Sequence, residues 1–411
     1  MSMLSHGSKN SLRLNIALLG AFCLFLSAVE YMIPKPLPFM RIGLANLPLM
    51  MALDIFPLPA FLLLVCIKTL GQGLITGTLF SYIFIFSLTG TFLSAMLMFL
   101  LRRIFGKERI TLVGIGTAGA FISNISQLAL ARVFIFQENV RYIAPPFLTA
   151  GIITGIVLGV FCEVFINRST WYKMNVNNGG EEDASFKTTQ TYLKINHKDE
   201  EGVQRKMNMN ELYNNIFSAG SLFAAGLLIL PALLFNPSTE LRVIQFLFFW
   251  FLALLCGKKT NPVFTVLIII FIVTFNLIIP YGRVLYSIGA FKITSGALTA
   301  GIHRAITLAA LVMLSKLTVR QDLKISGAFG EILSESLRMF YVIMSRKYRL
   351  TAKNFLTDVD NLMIELSGEQ RSENKELLTE NIMRNKTRPI GYVVLIVMVI
   401  LSWLPCVVNL I

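Results

Sequence analysis

Residues 58–103 read LPAFLLLVCIKTLGQGLITGTLFSYIFIFSLTGTFLSAMLMFLLRR. Two apolar runs, 58–77 and 79–101, meet at Gly77-Thr78 and contain a single charge, Lys68. Each run has the roughly 20 residues that carry a helix across a hydrocarbon core. The second run ends on Arg102 and Arg103, the basic signature of a loop held on the cytoplasmic side. This stretch is therefore a hairpin of membrane helices, and it sets the frame for reading the rest.

Outward from it, further runs lie near 14–33, 42–56, 111–136 and 146–166. The run at 42–56 is short and follows the proline-rich stretch Pro34 to Pro38, so it is expected to be tilted, or broken and partly re-entrant. Six spans place Arg102, Arg103, Lys107 and Arg109 on the same side as Arg168, Lys173 and the basic amino terminus with Lys9 and Arg13. No small-residue cleavage site follows the first run, which is read as a retained span. Residues 167–210 are polar, contain Asn177-Asn178-Gly179-Gly180 and carry both signs of charge, the pattern of a solvated linker. Runs near 214–235, 241–257, 261–280, 295–315 and 390–408 then form a second module. The expected fold is all-α: a polytopic bundle of about 11 spans. Its modules are 1–166 and 211–411, with a cytoplasmic helical segment at about 317–388. In that segment Leu333, Leu337, Phe340, Tyr341 and Met344 recur at helical spacing among Arg338, Arg346 and Lys347. It is either a surface helix lying on its own bundle or a docking helix for a soluble partner.

Composition agrees. Apolar residues make up 55% and charged residues only 15%, against about a quarter charged in soluble domains. The net charge of +14 is read as cytoplasmic loops facing an anionic leaflet, not as a nucleic-acid surface, because no sizeable soluble domain is visible. The expected location is a bacterial cell membrane with the amino terminus in the cytoplasm. Cys23, Cys66, Cys162, Cys256 and Cys406 stand alone in or beside apolar runs, without metal or redox spacing.

Function is carried by polar residues inside the spans, where they usually face a cavity or a partner. Glu30, Arg41, Asn46, Lys68, Gln72, Asn124, Gln127 and Arg132 lie in or beside spans of the first module. Asn124 and Gln127 share a helical face, and Arg132, eight residues from Asn124, is rotated from it on a helix by only about 80°, so one bundle-facing sector could hold all of them. Arg41, Lys68 and Arg132 point to an anionic or carbonyl-rich small molecule, with Asn46, Gln72, Asn124 and Gln127 orienting it. Interhelical hydrogen bonding and snorkelling are the plainer alternatives. Catalytic signals are missing. Gly106-Lys107 and Gly257-Lys258 lack the rest of a phosphate-binding loop, Asp358 and Asp360 have no partner motif, and His6, His197 and His303 are scattered. No enzyme chemistry, metal or cofactor is expected.

Three stretches carry a likeness to a known family: Arg41-Ile42-Gly43-Leu44-Ala45-Asn46, Lys68 through Thr76-Gly77-Thr78, and Ser123-Asn124-Ile125-Ser126-Gln127. Residues 14–166 resemble the Gx transporter family, also labelled heptaprenyl diphosphate synthase component I. That family is similar to the substrate-binding S components of energy-coupling-factor transporters, which implies six helices with both ends in the cytoplasm. Residues 212–408, through Phe291-Lys292-Ile293-Thr294 to Leu314-Ser315 and the final span, bear a weaker resemblance to the T component of those transporters. The resemblance implies transport of a small molecule, with ATP hydrolysis on separate subunits. The Ala-Arg-Gly motifs by which T components engage their ATPases do not occur between 316 and 388. Two alternatives follow from the same residues: a membrane accessory component of heptaprenyl diphosphate synthase, or a scaffold with no ligand.

Overall fold

The computed structural model describes residues 3–33, 42–177, 213, 215–258, 261–288, 291–323, 325–345, 355–372 and 387–408. Among the described residues the regular structure is helical apart from one hairpin. Helix α1 (Met3–Met32) is followed by a 3-10 turn, Leu44–Asn46, and by α2 (Leu47–Ala52). The expected short second span is thus a broken element: six residues rise only about 9 Å. Gly43, at φ 91°, makes the turn that leads into it. Helix α3 (Leu58–Thr76) starts between Pro57 and Pro59 and stops at Gly77, whose φ of 62° is the left-handed helix end that glycine favours. Helices α4 (Tyr82–Arg109) and α5 (Leu112–Ala131) follow, the second capped by Thr111 Oγ1, which accepts the Gly114 N–H at 3.2 Å. A π turn, Arg132–Phe136, and a 3-10 turn, Gln137–Asn139, lead to α6 (Val140–Arg168) and α7 (Thr170–Asn177).

The second half comprises α8 (Ala219–Leu234), α9 (Thr239–Leu255), α10 (Pro262–Asn276) and an antiparallel hairpin, β1 (Val284–Ile288) with β2 (Phe291–Thr294). It continues as α11 (Ser295–Thr318), α12 (Ala328–Ser345), α13 (Phe355–Ser372) and α14 (Pro389–Val408). Side chains cap α8, α9 and α10: Ser218, Ser238 and Asn261 each accept a first-turn backbone N–H.

Among the described residues six stretches are long and apolar enough to cross a membrane: 11–32, 58–76, 82–109, 112–168, 295–318 and 389–407, the fourth holding both α5 and α6. Their outward faces are apolar, as at Leu93, Met96 and Leu100 on α4 or Val393, Ile396 and Ile400 on α14. Together these features mark an integral membrane protein. Among the described residues fewer helices have the length of a full crossing than the eleven expected runs. Helices α8, α9 and α10 have 16, 17 and 15 residues, and α2 does not cross. Hydropathy measures how apolar a run is, and it does not register where the helix within it stops.

Two further expectations change. Residues 170–177, read as the start of a linker, form α7, with Trp171 buried and Asp360 of α13 accepting the Thr170 and Trp171 N–H groups at 2.9 and 3.1 Å. The remainder of that linker, from 178, lies outside the described residues up to Tyr213. The sides assigned to the second half also fail to match the first. Asp54, Arg102 and Tyr172 gather at one end of the first module. Gln321, in the segment read as cytoplasmic and so expected at that same end, lies at the other: Gln321 Nε2 donates to Ile75 O at 3.3 Å, and the Phe80 N–H to Ser315 Oγ at 3.1 Å. Helix α11 packs past both turns at this end, since Ala305 and Leu308 share a buried cluster with Ile135 and Phe136. A rule that counts basic residues loop by loop cannot anticipate packing between modules.

Helix α12 is the largest surprise. Its apolar face, Leu333, Leu337, Phe340 and Ile343, is buried, as the spacing required, but against the first module. Ser336 sits so close to Gly20, in the middle of α1, that a Cβ on the glycine would come within 2.8 Å of its Oγ. The amphipathic segment therefore lies on the protein's own membrane helices, on the first module and not on the second that precedes it in sequence. The candidate docking residue Tyr341 hydrogen-bonds Gln321, and Arg346 and Lys347 lie outside the described residues.

Candidate functional site

The first module is closed by α5 against α6 through glycine. A Cβ on Gly155 would lie 2.9 Å from Thr117 Cα, and one on Gly159 would lie 2.5 Å from Val113 Cα, so only glycine lets the two backbones approach this closely. Gly151 leaves the space that the Asn124 amide fills; a Cβ there would meet Asn124 Nδ2 at 1.8 Å. Asn124 Nδ2 donates to Phe147 O at 3.0 Å, which fixes the amide in the bundle interior.

Between α3, α4, α5 and α6 lies a cavity of about 30 Å³. Lys68 enters from α3, 2% exposed, and its ammonium donates to Asn46 Oδ1 from the turn before α2. Glu30, 6% exposed, forms another part of the wall. Its carboxylate accepts the N–H groups of Ile42 and Gly43 at 2.8 and 3.1 Å, an arrangement that the left-handed Gly43 permits. Hydroxyls of Thr91, Ser94, Ser123 and Thr154 and the Asn124 amide complete the polar lining. At this volume the space holds about two waters, so an organic ligand requires the walls to part.

The residues singled out in the sequence divide. Asn46, Lys68 and Asn124 converge on the cavity. Gln127 is fully buried behind it, donating Nε2 to Ser123 Oγ at 2.9 Å, with its Oε1 unsatisfied. Gln72 is half-buried, away from the lining, and its carbonyl accepts the Thr76 hydroxyl at 2.8 Å. Arg41 lies outside the described residues. Arg132 is elsewhere: 61% exposed and paired with Glu138 at 2.6 Å. Sharing an angular sector with Asn124 does not bring it to the cavity, because eight residues of α-helix carry it about 12 Å further along the axis, to the exposed end of α5. Two of the three cations expected to face an anionic ligand have an acid of the chain beside them: Glu138 pairs with Arg132, and Glu30 shares the cavity of Lys68. The four lining hydroxyls went unnoticed. Ser and Thr in a span bond back to their own helix as readily as they face a cavity, so sequence offers no sign of which they do.

Asp54 anchors the opposite end of the module. Arg102 donates to both its oxygens at 2.8 and 2.7 Å, Tyr172 donates at 3.1 Å, and Lys107 approaches to 3.6 Å. Burial alone would raise the Asp54 carboxyl, but these hydrogen bonds and charges outweigh it and hold it below its ordinary value. Among the described residues no cluster of His, Cys, Asp or Glu is placed to hold a metal ion, and the cysteines are free thiols.

Residues 19–165 match the family of heptaprenyl diphosphate synthase component I. The match covers the cavity and every described residue that lines it. Residues 221–321 match a domain of unknown function (DUF8519), which spans α8 to the end of α11. No curated protein and no solved structure matches the chain.

Proposed function

We propose that this chain is a membrane transport component whose first module binds a small polar solute between α3, α4, α5 and α6. The observation that carries the reading is a lysine 2% exposed at mid-bundle, gathered with Asn46, Asn124 and Glu30 around one cavity. Structural hydrogen bonding between membrane helices is worth about 0.6 kcal/mol per pair on average, a weak reason to keep a buried ammonium and a buried carboxylate. A solute-binding role gives each a task. Lys68 holds an anionic or carbonyl oxygen, Glu30 receives N–H or O–H donors, and the amides of Asn46 and Asn124 set the orientation. The second half, with its short helices and the α12 buttress, serves as the scaffold against which the first module moves. ATP hydrolysis, where used, comes from separate subunits. The proposed setting is a bacterial cell membrane with the amino terminus in the cytoplasm.

Mass spectrometry of small molecules released from gently solubilised protein tests this. A recovered solute should raise the melting temperature of the wild type. Lys68→Met should weaken that response by about 1.5–3 kcal/mol of binding, the worth of a charge-assisted hydrogen bond. An equal response in the variant would remove the site.

The description of the matched family supports a second reading, an accessory membrane component of heptaprenyl diphosphate synthase. It is favoured if no solute is recovered and prenyl transfer appears only when a soluble synthase subunit is added to this protein.

A further inference from the structure

One wall of the cavity around Lys68 carries polar atoms that no described residue satisfies. A hydroxyl in a membrane helix commonly settles on its own backbone. Thr69, Thr89, Thr117 and Thr149 do so here, each donating to the carbonyl four residues back at 3.0, 2.9, 2.7 and 3.0 Å. Ser87 and Ser94 of α4 do not. They are 2% and 1% exposed, and neither Oγ has a partner. Seven residues apart, they lie on one face of α4, with Gly90 and Thr91 between them.

That face meets α5. A Cβ on Gly119 would come within 2.9 Å of Ser94 Oγ, and one on Gly90 within 2.9 Å of Ser123 Oγ and 3.1 Å of Gln127 Nε2. Thr91, Ser94 and Ser123 line the cavity. Ser87 and Gln127 continue the same seam past it, toward the start of α4 and the end of α5. Gln127 is 0% exposed and donates Nε2 to Ser123 Oγ at 2.9 Å. The amide is planar, so this bond also holds Oε1 in the seam, where it has no donor.

A buried polar atom left unpaired costs more than a paired one gains. Packing alone is served as well by alanine and leucine, so it does not account for three such atoms in one seam that opens on a cavity. An occupant of the cavity supplies the missing partners. Gln127 Oε1 only accepts, so the occupant brings an N–H or O–H to it. A carbonyl offers no counter-charge, so that donor is neutral. Lys68 only donates, so the occupant's other end is an acceptor.

We infer that the solute site extends from Lys68 along the α4–α5 seam to Gln127, and that the solute is a small organic anion with a neutral hydroxyl or N–H group set apart from its carboxylate. Gln127 is the residue that selects for the donor. The inference rests on the solute-binding reading of the Lys68 cavity. An anion without the donor leaves Gln127 Oε1 unpaired, which is how a polar pocket rejects an analogue.

The test follows thermal unfolding of the full chain in detergent with a series of ω-hydroxycarboxylates, glycolate through ω-hydroxyhexanoate. Each is set against the plain carboxylate of the same length, acetate through hexanoate. In the wild type at least one hydroxy acid should bind about tenfold tighter than its plain counterpart, the worth of one buried hydrogen bond. Gln127→Leu should erase that preference. Without any acid it should melt no lower than the wild type, because it removes an unsatisfied carbonyl, whereas loss of a structural amide would lower the melting temperature. Ser87→Ala and Ser94→Ala leave Gln127 in place and should each reduce the preference, which keeps the test open if the leucine variant folds poorly. Lys68→Met should weaken the response to both members of each pair. If it leaves both intact, the reading of the cavity fails and the extension falls with it. If it weakens both, but the wild type shows no preference for a hydroxy acid or the preference is undiminished in the seam variants that fold, the extension alone is overturned. Binding of none of the acids overturns the assigned solute class.

Discussion

The two halves of this protein join their helices by different means. In the first, α5 and α6 touch backbone to backbone across Gly116, Gly155 and Gly159. In the second, Asn236, Gln245 and Arg242 tie helix ends together through side-chain hydrogen bonds: Asn236 Nδ2 donates to Gln245 Oε1 at 2.9 Å, and Gln245 Nε2 to Ser402 O of α14 at 2.8 Å. The difference shows where polar residues become available for a ligand. Glycine contact brings α5 and α6 together backbone to backbone, and Asn46, Lys68 and Asn124 line a space beside it. In the second half comparable residues are largely engaged in holding the helices.

The comparison is broken most directly at Gly159. Gly159→Val should destabilise by about 3 kcal/mol, because the new atoms must displace the backbone of Val113. Gly220→Val, in the first turn of α8 with nothing within 4 Å of its Cβ position, should stay within about 0.5 kcal/mol. Thermal unfolding in detergent separates the two, and equal effects would mean that glycine contact is not what holds the first bundle.

Asp54 is the first module's own side-chain tie, and acid should expose it. Its folded value lies below the ordinary carboxylate value of about 3.9. Its stabilisation is therefore complete above that value and is lost as pH falls through the lower, folded one. Asp54→Asn should cost about 3 kcal/mol at neutral pH, since it leaves the Arg102 charge without its partner. The variant's stability should also lose this part of its dependence on pH below about 4. A variant that keeps the full acid dependence would place the titrating group elsewhere.

Gln245→Leu sharpens the description of the second half. It strips the Asn236 amide and the Ser402 carbonyl of a partner, with an expected cost of about 1–2 kcal/mol. Faster proteolysis near α14 should accompany it, and unchanged proteolysis would show that apolar packing alone holds that helix. The smallest effect is expected at Arg132. Arg132→Met removes an exposed ion pair worth at most about 1 kcal/mol and should leave any solute response intact, in contrast to Lys68→Met.

What could be read from the sequence follows the range of the forces involved. The crossing helices were legible because hydropathy and helix length are local, and α3, α4, α6 and α14 fall close to their expected runs. The pairing of Lys68 with Asn46 was partly legible: each was singled out as a polar residue in an apolar run, while their meeting across 22 positions depends on the turn at Gly43. Arg132 misled because an angular sector says nothing of depth: eight residues of helix place it about 12 Å along the axis from Asn124, at the exposed end of α5. The face of α12 was legible and the module that covers it was not, since an amphipathic stripe records that a face is covered and says nothing of by what.

That last contact bears on how the protein is made. Gly20 and Ser336 touch, yet 316 residues separate them in the chain. At ribosomal speeds of about 5–20 residues per second, roughly 15–60 s pass between their syntheses. Through that interval the flank of α1 that α12 will cover faces lipid or the insertion machinery. The Asn15–Asn175 bond, on the same helix, needs a delay only about half as long. A nascent chain stalled before residue 328 would carry the whole candidate solute cavity with one side of its first helix still bare.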